Sequence, residues 1–446
     1  MQAFVSHVTA ALSGGSQRSG YPWGYFRIMT TTTRSLVVLG AGTAGTMVVN
    51  KLRHRLPTTE WRITVVDRDD AHDYQPGYLF LPFGLIEPDQ VRRSRHALIT
   101  EGVELVLGDV DRVDPTAREV SLLDGRTLRY DELVIATGTT PRPDQTPGML
   151  GPEWHRSVGE FYTYEGALAL RESLAAFSGG RLVVHVTEMP IKCPVAPLEF
   201  TFLADDFLGR RGLRDRTEIV FVTPLDGAFT KPVASRELGH LLADKRITVE
   251  TDFLVEHVDQ ERRVLVSYDE REVPYDQLVT VPLNMGADFV ARSGLGDELN
   301  YVPVDKHTSQ STEHPSIFVL GDASNIPTSK AGSVAHFSVE VFAENFVEHA
   351  RGQAMTHSFD GHANCFVESG GGKAMLLDFN YDTEPLTGTF PLPRLGPMTL
   401  LKESRANHLG KLAFRHLYWN LLLPGRPLGL PAQMSMAGKV PAAVSA

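Results

Sequence analysis

Ser35–Leu39 (SLVVL) is a continuous apolar run that ends in glycines. Such a run, bounded by turn residues, is what a strand buried on both faces of a parallel sheet requires. A helical pattern follows from Ala44 to about Leu56, and Arg62–Asp67 (RITVVD) reads as the next strand, which completes a βαβ unit. Further strands are predicted at Glu104–Leu107, Arg118–Leu122 and Leu133–Ala136, and a helix at Thr163–Phe177. A second strand–helix start comes at Arg181–Thr187 (RLVVHVT), with its helix at about Ala196–Leu208. Glu218–Val222, a helix at Ser235–Asp244 and short strands up to Leu278–Val281 follow. Ile317–Leu320 (IFVL) is another buried strand, and a helix runs from about Ser333 to Arg351. Strands alternating with helices, with two separate starts, predict an α/β chain of two doubly wound, Rossmann-like domains.

Composition excludes several functions. The formal charge of −11 leaves no basic excess to neutralise phosphates, which argues against nucleic-acid binding. Two cysteines in 446 residues cannot staple a secreted scaffold. No stretch approaches the roughly 20 apolar residues of a transmembrane helix. Gly14-Gly15-Ser16 and Arg18-Ser19-Gly20 follow only a short apolar run, unlike a signal peptide. Residues 1–33 are therefore read as a disordered N-terminal extension. No cluster of His, Cys, Asp or Glu has metal-ligand spacing, so no metal site is expected.

Gly40-Ala41-Gly42-Thr43-Ala44-Gly45 follows the first strand and opens the first helix. In this G-x-G-x-x-G pattern Gly40 makes the tight turn, Gly42 lets the backbone reach a pyrophosphate, and Gly45 lets the helix from Ala44 pack on the strand. The pyrophosphate sits at the positive helix N-terminus. Asp67, ending the next strand, is placed to accept from a ribose hydroxyl. Ala136-Thr137-Gly138 closes a later strand, and Gly321-Asp322 closes Ile317–Leu320. Together these resemble the two-dinucleotide-binding-domain flavoproteins, in which the aspartate of the late Gly-Asp pair contacts the ribityl or pyrophosphate part of FAD. The resemblance implies an FAD-binding domain over 34–152 and 301–385, and a second Rossmann-like domain over 153–300.

That second domain carries no nicotinamide fingerprint. Arg181–Thr187 is followed by Glu188-Met189-Pro190-Ile191-Lys192-Cys193-Pro194. Prolines lack the N–H groups that cradle a pyrophosphate, and Glu188 would repel one. A cysteine stands where the fingerprint would be, against type-II NADH dehydrogenases, ferredoxin reductases and glutathione-reductase-like enzymes.

Lys192-Cys193-Pro194-Val195-Ala196-Pro197-Leu198-Glu199, Pro327-Thr328-Ser329-Lys330 after Gly321-Asp322, and Cys365 beyond the next helix resemble the sulfide:quinone oxidoreductase family. The resemblance implies that Cys193 and Cys365 form a redox pair beside the isoalloxazine. Several bacterial relatives have a third cysteine that can link to FAD; Thr139–Pro152 has none, which implies non-covalent FAD. It implies sulfide, a sulfur acceptor and a membrane quinone as partners, and leaves a homo-oligomer open. Lys330 and the helix start after Gly332 would stabilise the reduced flavin's negative charge. Glu199 would take protons during persulfide formation, or only complement its helix dipole.

Residues 386–446 read as a C-terminal amphipathic, membrane-associating region. Lys402–Arg415 mixes basic residues with leucines, and His416–Leu423 (HLYWNLLL) is aromatic and aliphatic. Such a helix lies in a membrane interface or packs on its own protein. With a quinone as acceptor, the expectation is a peripheral protein of the cytoplasmic membrane. Three other readings stand beside this one: the flavin subunit of a flavocytochrome c type sulfide dehydrogenase, a divergent NADH:quinone oxidoreductase, and a non-catalytic flavoprotein sulfur carrier.

Overall fold

The computed structural model describes residues 33–441. The extension expected over 1–33 falls, apart from Thr33, outside the described residues. Five parallel strands form the first sheet in the order Ile317–Val319, Glu132–Ile135, Arg34–Leu39, Trp61–Asp67, Val103–Leu107. Arg34–Leu39 is central. Leu36 and Val38 join one core cluster, and Val37 and Leu39 another. Both faces are thus covered, which is why the strand is apolar without alternation. The helix Thr43–Arg53 crosses to Trp61–Asp67 as the hydrophobic pattern requires.

The second sheet is also parallel, ordered Val158–Gly159, Gln277–Val281, Gly180–Val186, Thr217–Val222, Thr248–Glu250. Its helices Tyr164–Ala176, Ala196–Arg210 and Pro232–Asp244 lie close to the predicted spans. The strand predicted at Arg118–Leu122 forms as Glu119–Leu122, but in a three-stranded antiparallel sheet beside the Rossmann sheet.

Two sets of contacts cross the boundaries expected at 300 and 385. The chain returns to the first unit before residue 300: Asn284–Met285 pairs with Thr140–Pro141, and Phe289, Val290 and Leu295 pack with Leu133 and Ile135. The division at 385 also falls inside one element. A five-stranded sheet runs in the order Ala363–Gly370, Lys373–Phe379, Gly396–Leu400, Leu386–Leu392, Lys439–Pro441. Its first hairpin turns at Gly370-Gly371-Gly372, with φ of 81°, 60° and 70°, a left-handed run that glycine adopts without steric cost. Residues 386–441 therefore complete a folded sheet and also supply the helix Arg405–Leu417 and a π-turn, Tyr418–Leu422.

A second correction concerns His416–Leu423. Tyr418, Trp419, Leu422 and Leu423 are buried in the main core. The aromatic run packs on its own protein, because its rings fit against His72 and Tyr74. On the helix Arg405–Leu417 the leucines left in solvent are Leu409, Leu412 and Leu417, at 62 %, 44 % and 38 % exposure.

Candidate active site

A continuous cleft of about 890 Å³ collects most of the residues singled out in the sequence: Gly40, Gly42, Ala44, Asp67, Ala136, Thr137, Gly138, Cys193, Glu199, Gly321, Asp322 and Lys330 all line it. Gly45 lies behind the lining. A Cβ there would stand 1.8 Å from the Gly40 carbonyl oxygen, so only glycine lets the helix pass under the turn. At Gly42 a Cβ would meet nothing within 4 Å, which leaves the open cradle that a pyrophosphate needs above a helix N-terminus. Asp67 Oδ2 accepts from Ala41 N at 2.7 Å and lies 3.1 Å from Arg95 Nη2, while Oδ1 accepts from Arg68 N at 2.8 Å. Oδ1 keeps an acceptor position for a ribose hydroxyl. These residues fit a dinucleotide.

Lys330 lines the cleft beside the Gly321-Asp322 turn. Its Nζ donates to the carbonyls of Asp322 and Ser324, each at 2.9 Å, and sits 3.7 Å from the centre of the Tyr301 ring. Two of its three hydrogens hold the Gly321–Ala323 turn, and one remains. Burial lowers its pKa to about 8. Lys192, overlooked as a charge in the sequence, also lines the cleft. Burial lowers its pKa too, while Asp322 and Glu160 favour its charge.

Cys193 has a φ of 50°, which is uncommon outside glycine. Its N–H donates to Lys330 O at 2.6 Å, and its carbonyl accepts from Ala196 N at 2.9 Å and Tyr162 Oη at 3.2 Å. Strain of this kind at a turn facing a cleft is a mark of a functional position. Cys365, on Ala363–Gly370, is 5 % exposed and belongs to the core cluster against which Cys193 packs. Both thiols are free. Burial pushes Cys193 up to about 12, with Glu199 adding and Lys411 opposing. Cys365 is also raised, by burial first and then by Cys193 and Glu199. As thiols, both are held neutral.

Glu199 is fully buried in the first turn of Ala196–Arg210. Its Oε1 accepts from Glu368 N at 2.7 Å and from Lys411 Nζ. Lys411 comes from the helix Arg405–Leu417 and also lines the cleft. Burial works against its charge, but Glu199, Cys193 and Glu368 outweigh that and raise its pKa. Lys411 is therefore a site residue and not one of the lipid-facing cations. Phe414 and Tyr418 follow it into the cleft. Positions 411, 414 and 418 share one helix face; the spacing was legible, but nothing in it told that this face turns inward. Tyr418 Oη lies 2.8 Å from Thr43 Oγ1 and 2.7 Å from His72 Nε2, so the C-terminal segment closes on the glycine turn.

Residues 34–184 match the pyridine nucleotide-disulphide oxidoreductase family. The chain is 24% identical over 396 residues to the mitochondrial sulfide:quinone oxidoreductase of Mus musculus, covering 87% of this chain and 86% of that protein. It is 27% identical over 416 residues to the mitochondrial sulfide:quinone oxidoreductase of Schizosaccharomyces pombe, covering 87% and 90%. The solved sulfide:quinone oxidoreductase of Aquifex aeolicus shares the fold, with a TM-score of 0.75, 21% identity, and 88% and 92% of the two chains covered. With a glycine cradle built for a dinucleotide and relatives matching along most of its length, the chain is an FAD flavoprotein similar to the sulfide:quinone oxidoreductases.

Proposed function

We propose that this protein oxidises sulfide to persulfide or polysulfide sulfur at a Cys193–Cys365 pair and passes the electrons through non-covalent FAD to a membrane quinone. One observation carries the reading: the dinucleotide cleft reaches Cys193 and also the Glu199–Lys411 pair with Phe414. A sulfur site and a polar–aromatic site thus share one cofactor cavity. Gly40, Gly42 and the start of Thr43–Arg53 would hold the FAD pyrophosphate, Asp67 a ribose, Ala136–Gly138 and Gly321-Asp322 the middle of the cofactor. Bound there, FAD supplies a two-electron sink between the two substrates.

The chain's own groups do the rest. With the cysteines oxidised, hydrosulfide attacks one sulfur of the disulfide. The S–S bond breaks, a persulfide forms on the attacked cysteine, and the other leaves as thiolate. A nucleophilic acceptor then takes the outer sulfur, leaving a second thiolate, and two electrons depart as the disulfide re-forms. Lys411 opposes the cost of each thiolate in this apolar setting. Glu199, held by Lys411, is the nearby acid–base group. A quinone ring stacking by Phe414 would present its carbonyl to the same ion pair. Leu409, Leu412 and Leu417 form the apolar surface that would rest on the lipid. Among the described residues no helix is long and apolar enough to cross a membrane.

The test is anaerobic: sulfide should bleach the flavin of the purified protein, and NADH should not. Bleaching by NADH at a comparable rate would favour the divergent NADH:quinone oxidoreductase, and no bleaching by sulfide would favour the non-catalytic flavoprotein.

A further inference from the structure

Two more ionisable groups continue from the Glu199–Lys411 pair towards the surface. Glu368 lies on the strand that carries Cys365, with its side chain 1 % exposed. Its carboxylate oxygens stand 3.0 and 2.9 Å from His408 Nδ1. The His408 side chain is 25 % exposed. His408 and Lys411 are three residues apart on the helix Arg405–Leu417, and so share a face. Glu368, bonded to the first, lies about one helical turn from the second. The groups therefore run from solvent to the cleft as His408, Glu368, Lys411, Glu199. Cys193, Cys365, Tyr74 and Tyr162 are further titratable groups coupled to this set.

Two carboxyls buried this close carry a large desolvation cost, and apolar side chains would bind helix to strand more cheaply. Glu368's carboxyl is raised by burial, against Lys411 and His408, which brings it nearer the range in which it exchanges a proton at neutral pH. The reaction supplies the need. A quinone that receives two electrons must take up two protons to become a quinol, and beside Phe414 the cleft presents the Glu199–Lys411 pair.

We propose that His408 and Glu368 form the proton entry route to the Glu199–Lys411 pair during quinone reduction. A proton moves from the pair to a quinone oxygen, Glu368 restores it, and His408 restores Glu368 from water. This rests on the quinone reading above.

Rapid mixing separates the two. The flavin is photoreduced, then mixed with a short-chain ubiquinone analogue, and its reoxidation is followed from pH 6 to 9. Sulfide bleaching of the oxidised protein is the reference half-reaction. In His408→Ala, quinone reoxidation should fall ~10-fold at alkaline pH, a deficit that grows as pH rises. Added imidazoles should restore it in the order of their pKa values, as a proton donor does and a cavity filler does not. Glu368→Gln should show the same deficit without rescue. His408→Gln, which keeps a polar contact to Glu368, serves if the alanine variant does not fold. Equal loss in both half-reactions, rescue indifferent to imidazole pKa, or unchanged reoxidation in Glu368→Gln would overturn the relay. A native protein that sulfide or quinone does not affect would instead overturn the function itself.

Discussion

Cys365 is buried, Cys193 is half-buried against the same cluster, and Cys193 helps raise the pKa of Cys365. Replacing either with serine should abolish sulfide-dependent quinone reduction, by at least ~100-fold, because no disulfide remains to accept hydrosulfide. FAD should stay bound, since neither residue touches the glycine turn; the flavin spectrum of each variant checks this. Tyr418 makes a sharper claim. Burial holds His72 at a pKa of about 4, hence neutral. His72 Nδ1 faces the Ala41 carbonyl at 2.9 Å and must donate to it, so Nε2 accepts from Tyr418, and Tyr418 in turn accepts from Thr43. Tyr418→Phe leaves His72 Nε2 without its donor, at a cost of ~1–2 kcal/mol. Part of that loss falls on the glycine turn, so FAD should dissociate up to ~10-fold more readily. Fluorescence of the released flavin measures this, and unchanged release would mean that the contact does not position the turn.

The helix Arg405–Leu417 has two faces with separate tasks. Lys411 and Phe414 turn into the cleft, with Tyr418 just beyond, while Leu409, Leu412 and Leu417 face out. Cutting the chain before Lys402 would not cleanly remove a membrane anchor, because Trp419, Leu422 and Leu423 leave the core with it. That truncation should lose FAD and cooperativity together. The paired change Leu409→Glu and Leu412→Glu is the proper probe. Each leucine entering lipid contributes about 1–2 kcal/mol, so cosedimentation with anionic liposomes should fall ~30-fold or more while the melting temperature barely moves. Equal binding by both proteins would move the docking surface elsewhere.

Across the whole molecule, burial depresses the histidines His72, His185 and His336 to about 4, 3 and 4. The unfolded chain binds these protons near pH 6.5, the folded chain only well below it. Stability they contribute is therefore complete above pH 6.5 and lost as pH falls towards 4, at ~1.4 kcal/mol per pH unit for each group. Glu160 and Glu199, raised by burial, act in the opposite direction. The clean test is a difference: His185→Asn should flatten the urea-derived stability between pH 6.5 and 5 by about one proton relative to the parent. An identical slope would show that His185 titrates alike in both states.

The elements whose signal is local were readable without coordinates. Val37 and Val38, Gly40 to Gly45, Asp67 and Gly321-Asp322 announce their strands and turns through runs and spacing, because a buried parallel strand and a tight strand-to-helix turn constrain neighbouring residues directly. Ala363–Phe379 was missed because its two strands, mostly buried on both faces, lack alternation and are joined by three glycines. What the chain order alone left undecided is which way each face turns. Lys411 and Tyr418 lie 212 residues from Glu199 and 375 from Thr43 in sequence. Their pairing depends on the C-terminal sheet carrying the helix back across the cleft. An amphipathic pattern specifies two faces and their polarity; only the packing of distant elements decides which one meets the flavin site and which meets solvent.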